Sequence, residues 1–175
     1  MRLLSLELIG NYKGLKDQYF DFQNTEGNIL ALIGLNGSGK SQLLELIAET
    51  FAYLERWQRE DFVTRTPLPF GVNVQYSIKN QNQNEDIILV NIDKQSNVNS
   101  YQITEDGGKK PLFSRFPLPD FIVGYASGLN ENLQRAFMKN SLQYFEIKRI
   151  SAQRQKKLAK KMLMKRLLLR SISNT

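Results

Sequence analysis

Residues Gly34 to Ser41, Gly-Leu-Asn-Gly-Ser-Gly-Lys-Ser, match the spacing G-x-x-x-x-G-K-[ST] in full. Glycines at these positions let the backbone wrap so that successive N–H groups point inward at phosphate oxygens. A helix beginning near Gly39 adds the positive end of its dipole to the same anion. Lys40 would then reach the β- and γ-phosphates of a nucleoside triphosphate, read here as ATP, and the Ser41 hydroxyl would hold Mg²⁺. The candidate cofactor-binding residues are Gly34, Asn36, Gly37, Ser38, Gly39, Lys40, Ser41 and Gln42, with Ser41 also the metal ligand. A glycine-rich turn can fit such a pattern by accident, so the flanking elements carry the decision.

Before the glycines stands Ile29-Leu30-Ala31-Leu32-Ile33, apolar at every position, which predicts a strand covered on both faces. After Ser41 the period becomes helical. Leu43, Ile47, Phe51 and Leu54 fall on one stripe with Leu44 and Ala48 beside it, and the helix should end before Pro67-Leu68-Pro69. Strand, glycine loop and amphipathic helix in that order are the context a phosphate cradle needs.

The rest of the chain reads mainly as β structure. Leu4, Leu6 and Leu8 alternate with Ser5 and Glu7, and a turn-rich stretch from Gly10 to Gly14 leads to a second strand near Tyr19 to Phe22. Beyond the helix, Val72, Val74, Tyr76 and Ile78 alternate with polar residues. Ile87 to Val90 and Tyr101 to Thr104 follow as strands, with Asp106-Gly107-Gly108 as a turn. The last apolar run, Phe121 to Tyr125, precedes Ala126-Ser127-Gly128 and a helix from about Asn130. The expected fold class is α/β: a P-loop NTPase lobe with a mixed sheet, an antiparallel β meander inserted after the P-loop helix, and a basic C-terminal helix.

Composition closes off other chemistries. The apolar share of 41% and charged share of 23% are ordinary for a globular chain. Without cysteine or histidine, a disulfide, a thiolate or imidazole zinc site and a histidine-dependent triad are all excluded. No apolar run reaches the ~18 residues of a transmembrane helix, and the cytoplasm is the expected location. The net charge of +7 is uneven: from Ile147 to Thr175 there are ten Lys or Arg and no acidic residue, leaving 14 basic against 17 acidic side chains elsewhere.

Asn36-Gly37-Ser38-Gly39-Lys40-Ser41, followed by Leu43, Leu44 and Glu45, resembles the RecF/SMC branch of ABC-type ATPases, whose heads act in DNA repair, chromosome organisation and anti-phage defence. Within that branch, Leu118-Pro119-Asp120 through Glu131 looks like a segment of the AAA-family ATPases associated with restriction systems. The family opens with a strand, an Asn-Phe-Arg-like element and a second strand before the P-loop, and Asn11-Tyr12-Lys13 occupies that element here. The resemblance implies that Lys13, a cofactor-binding candidate, faces the nucleotide; a solvated turn lysine is the alternative. It also implies a γ-phosphate-sensing loop near Ser127, Asn130 and Gln134, where a strand end turning into a helix is the alternative.

The resemblance covers about the first 140 residues, which would make the chain the N-terminal lobe of a head that dimerises head to head in the complete protein. In that family the signature loop and an Asp-Glu strand come later, and neither is found in this sequence. Ile87 to Asp93 superficially imitates a strand ending in a magnesium-binding aspartate; an ordinary strand is the preferred reading. Residues 1–146 would form the nucleotide-binding lobe and 147–175 a basic helical tail or truncated arm. That tail has three readings: the base of an arm, a DNA or RNA contact through released counterions, or a membrane-surface helix. Three functions follow: an ATP-hydrolysing head, a non-catalytic nucleotide-binding module with a nucleic-acid-binding tail, and a small P-loop kinase. The kinase reading suffers because two strands precede the P-loop.

Overall fold

The computed structural model describes residues 1–24, 29–59, 67–80, 83–113 and 115–123, with 138, 145, 148, 149, 152, 153, 156 and 157 beyond them. The chain divides into two compact units, Met1–Ala136 and Phe137–Thr175. In the second, the described positions, among them Lys148, Arg149, Lys156 and Lys157, are helical and exposed.

The first unit is built on one antiparallel sheet. Its strands are β1 (Arg2–Tyr12), β2 (Leu15–Asp21), β3 (Gly71–Lys79), β4 (Glu85–Ile92), β5 (Val98–Ile103) and β6 (Lys109–Leu112), with helix α1 (Lys40–Trp57) between β2 and β3. The order across the sheet is β2-β1-β3-β4-β5-β6, every neighbouring pair antiparallel. The meander β3–β6 follows the P-loop helix in the chain, as the sequence predicts. It joins the N-terminal hairpin edge to edge through β1 and β3, with Leu6 opposite Val74 and Leu8 opposite Val72.

Alternation decides which face is covered. Leu6, Leu8, Val72, Val74, Tyr76, Ile88, Val90 and Ile92 are at most 1% exposed and point to one side. Leu43, Leu46, Phe51, Tyr53 and Leu54 of α1 belong to the same core cluster. Phe51 meets Tyr76 edge to face at 5.5 Å, and the Tyr53 hydroxyl donates to the Ser96 carbonyl in the β4–β5 turn. On the opposite face a polar row crosses three strands: Asn73 donates to Glu7, and Asn91 donates to Asn73.

The buried side of α1 is wider than the sequence stripe. Leu46 is fully buried while Leu44 is 47% exposed, and Thr50 to Leu54 are all buried. The reason is a second cover. Past β6 the chain returns to the end of the helix, where Phe116 lies 6.2 Å from Trp57, Gln58 donates to the Phe116 carbonyl and Tyr76 to that of Pro117.

Two expectations are corrected. The sheet is not mixed among the described residues, because Ile29 to Ile33 form no strand there and are not covered on both sides. Ile29 is 86% and Ile33 95% exposed, with Leu32 alone of that run packed against the core. A strand needs ladder partners, and no described strand runs beside this one. Phe121 and Val123 are likewise 87% and 89% exposed while Ile122 packs inward. Apolar composition reports a preference for burial; it does not supply the covering layer.

Candidate functional site

The glycine loop leads straight into α1, and each glycine has its own reason. At Gly34 a Cβ would stand 2.7 Å from the Ser38 hydroxyl, since the loop curls back on its own start. Gly37 and Gly39 have φ of +85° and +91°, a region that L side chains rarely adopt. Gly39 caps the helix without a side chain, and its carbonyl accepts the first helical bond from the Leu43 N–H. The amides of Lys40, Ser41 and Gln42 thus begin the helix without i−4 partners, and no acidic residue stands in the first turn to compete with an anion.

Lys40 folds over this loop. Its ammonium donates to the carbonyls of Gly34 and Leu35, each at 2.7 Å, and lies 3.4 Å from the Ser38 hydroxyl. The cation thus sits in the concavity that the loop encloses. Ser41 is exposed at the head of the helix, with Asn36 and Gly37 exposed on the loop and Gln42 half-buried behind Ser41. An anion placed here meets a cation, a helix N-terminus and a loop whose glycines admit close approach. A phosphate fits that donor set, and a Mg²⁺ beside it could take the Ser41 hydroxyl.

The β1–β2 hairpin comes to the same corner. Tyr12 faces Leu15 across a two-residue loop, Lys13 and Gly14, with φ of +49° and +99°. Positive φ at both positions is the type I′ geometry that the twist of a hairpin favours. The Asn11 carboxamide accepts from the Gly14 N–H and fixes the turn. Leu15 reaches toward Gly39, and Lys13 pairs with Glu45 on α1.

The Lys13 ammonium bonds Glu45 and lies 5.6 Å from the Tyr12 ring centroid. Tyr12 is buried edge to face against Phe70 at 5.0 Å. Burial, then the charges of Glu49 and Glu45, push its phenol well above the usual tyrosine range. Sequence reasoning missed Leu15 and the bond to Glu45. A leucine after a turn and a glutamate in a helix are too common to signal a contact between distant elements.

Asp93 follows the ordinary-strand reading. It follows directly after β4 and accepts from the Asn97 side chain and from the amides of Asn97 and Gln95, closing a turn. Those bonds hold its carboxyl below the usual carboxylate range. No group of three or more acidic side chains suited to a metal occurs among the described residues. Ser127, Asn130 and Gln134 lie outside the described residues, as does most of the basic segment 147–175. No described helix is long and apolar enough to cross a membrane.

A comparison with curated proteins returns no match. The family model described as ABC transporter matches residues 18–173. That span runs past residue 140, where the sequence resemblance stops, and takes in the basic segment. Helix-forming composition without a motif of its own gave the sequence reading nothing to anchor there. With nearly its whole length matched, the chain belongs to the ABC transporter family and is a P-loop ATPase domain that binds ATP.

Proposed function

We propose that this domain is the ATP-binding lobe of a RecF/SMC-type ATPase acting in DNA repair or anti-phage defence in the cytoplasm, and that it works with Mg²⁺. The observation that carries the reading is the hairpin against the P-loop. Asn11-Tyr12-Lys13 sits at a turn whose neighbour Leu15 touches the Gly39 position, as expected of a family that places this element before the P-loop. In this reading Gly34, Asn36, Gly37, Ser38, Gly39, Lys40 and Gln42 hold the phosphates, and Ser41 also holds the metal. Residues 1–146 form the lobe and 147–175 the arm.

We infer as well that further polypeptide completes the head. Ile29, Ile33, Leu35, Phe121 and Val123 are each at least 85% exposed, and apolar side chains on that scale are normally covered. That further part would carry the signature loop and the Asp-Glu strand, and two such heads would dimerise.

Titration of a fluorescent ATP analogue with Mg²⁺ tests the reading. Lys40→Ala should weaken binding at least about tenfold, roughly 1.4 kcal/mol. Equal affinities for wild type and variant would end it. A non-catalytic module with a nucleic-acid-binding tail is the second reading, favoured by the exposed Lys148, Arg149, Lys156 and Lys157. It requires DNA or RNA binding that falls steeply with salt and disappears when residues 148–175 are removed.

A further inference from the structure

Lys13 occupies an unusual position for a lysine. Its φ is +49°, in the left-handed region where a side chain is strained, at the tip of the β1–β2 turn. Its ammonium pairs with Glu45 of α1, the side chains being 42% and 6% exposed respectively. Glu45 is thus a carboxylate almost wholly removed from water, and Lys13 is its hydrogen-bond partner. A buried charge without a partner is strongly disfavoured.

The place of Glu45 on the helix gives the pair a consequence for the P-loop. Glu45 follows Ser41 by four residues and so lies on the same face of α1, one turn behind the head of the helix. A bare carboxylate there would offset the positive potential of the helix N-terminus and repel an incoming triphosphate. Burial first, then the charges of Glu49 and Glu45, push the neighbouring Tyr12 phenol up. Lys13 offsets that charge. It also fastens the turn to α1 beside Gly39, where Leu15 already leans on the loop.

We infer that Lys13 serves the phosphate site through Glu45, as a positioning and charge-neutralising residue, and not by touching the nucleotide. The inference rests on the reading of the P-loop as an ATP site.

Four proteins separate the possibilities: wild type, Lys13→Met, Glu45→Gln and the double variant, each titrated with the fluorescent ATP analogue and Mg²⁺. Lys13→Met should weaken binding about fivefold, in the range of coupling between residues in contact. Glu45→Gln should stay within about twofold of wild type, and in its background Lys13→Met should change affinity by no more than about twofold. Lys13→Arg, which keeps the charge, should bind as wild type does.

A double variant as weak as Lys13→Met alone would mean direct contact with the nucleotide and overturn the inference. So would wild-type affinity in Lys13→Met together with a lower melting midpoint, the mark of a merely structural turn. If Lys13→Met does not fold, the comparison of Glu45→Gln with the double variant decides alone. Loss of ATP binding that does not depend on Lys40 would strike the reading of the site itself, a distinct failure seen in wild type against Lys40→Ala.

Discussion

The Leu15 side chain stands 2.8 Å from where a Cβ on Gly39 would project, so the hairpin and the last glycine of the P-loop are shaped to each other. Two different constraints meet at Gly39. One is this contact, made by the far end of a flexible leucine that can swing aside. The other is its φ of +91°, which nothing nearby can relieve.

The second constraint is the larger, and a pair of variants separates them. Gly39→Ala should destabilise the domain by about 1–2 kcal/mol, the cost of a left-handed backbone for an L residue. It should also weaken ATP-analogue binding, because the strained residue starts the helix that meets the phosphates. Adding Leu15→Ala should return less than half of the lost stability, measured by urea unfolding. Full recovery would mean that the contact, not the backbone angle, dictates glycine.

Tyr76 gives a pH dependence with a fixed sign. Its side chain is fully buried, its hydroxyl donates to the Pro117 carbonyl at 2.7 Å, and burial pushes the phenol well above the usual tyrosine range. A raised folded pKa contributes stability that is fully present below the unfolded value of about 10 and is lost as pH rises through the folded one. The stability gap between wild type and Tyr76→Phe should therefore be constant from pH 7 to 9 and shrink above about 10. Below that window the variant should be weaker by about 1 kcal/mol, the net worth of one hydrogen bond. A gap that widens with pH would contradict the assignment.

How much of this was legible from the sequence depends on what each feature needed. The phosphate loop was, because glycine spacing and a following helix are local. So were β1 and β3, whose alternation is written in Leu4, Leu6 and Leu8 and in Val72 to Ile78, and β4, marked by the apolar run Ile87 to Val90. β6 was missed because Lys109-Lys110-Pro111-Leu112 has no alternation and becomes a strand only by pairing with β5. Ile29 to Ile33 failed in the opposite way, carrying a strand's composition without neighbours to pair with. The two links from the hairpin to α1, Lys13 to Glu45 and Leu15 to Gly39, join residues far apart in sequence and left no local trace.

Asp93 should prove structural. Its three accepted hydrogen bonds tie the β4–β5 turn, and Ser96 in the same turn accepts from the Leu68 N–H while its carbonyl accepts from Tyr53. Asp93→Ala should lower the unfolding midpoint and leave ATP-analogue affinity and its Mg²⁺ dependence unchanged. Because the folded carboxyl pKa is depressed, the stabilising effect is present above the unfolded value of about 3.9 and fades as pH falls through the folded one. A loss of Mg²⁺-dependent binding in Asp93→Ala would restore the metal-site reading.

The last prediction sets the domain against the activity of its family: this chain by itself should bind ATP yet turn it over slowly or not at all. Hydrolysis needs more than a cradle, because the attacking water must be oriented and charge in the transition state neutralised. The described carboxylates nearest in sequence to the P-loop are ill placed for the first task. Glu45 is buried and bonded to Lys13, and Glu49 follows one turn farther from Ser41 along α1. Asp93 is engaged in its turn. In ABC-type heads a later glutamate and a partner's signature loop perform these tasks, which is why the proposed further polypeptide matters. Steady-state phosphate release by the purified chain, with Lys40→Ala as the blank, measures the point. Turnover above about 1 per second, the low end of ordinary enzyme rates, that vanishes in the blank would overturn it. Asp93→Asn and Glu49→Gln would then be the variants to find the concealed base.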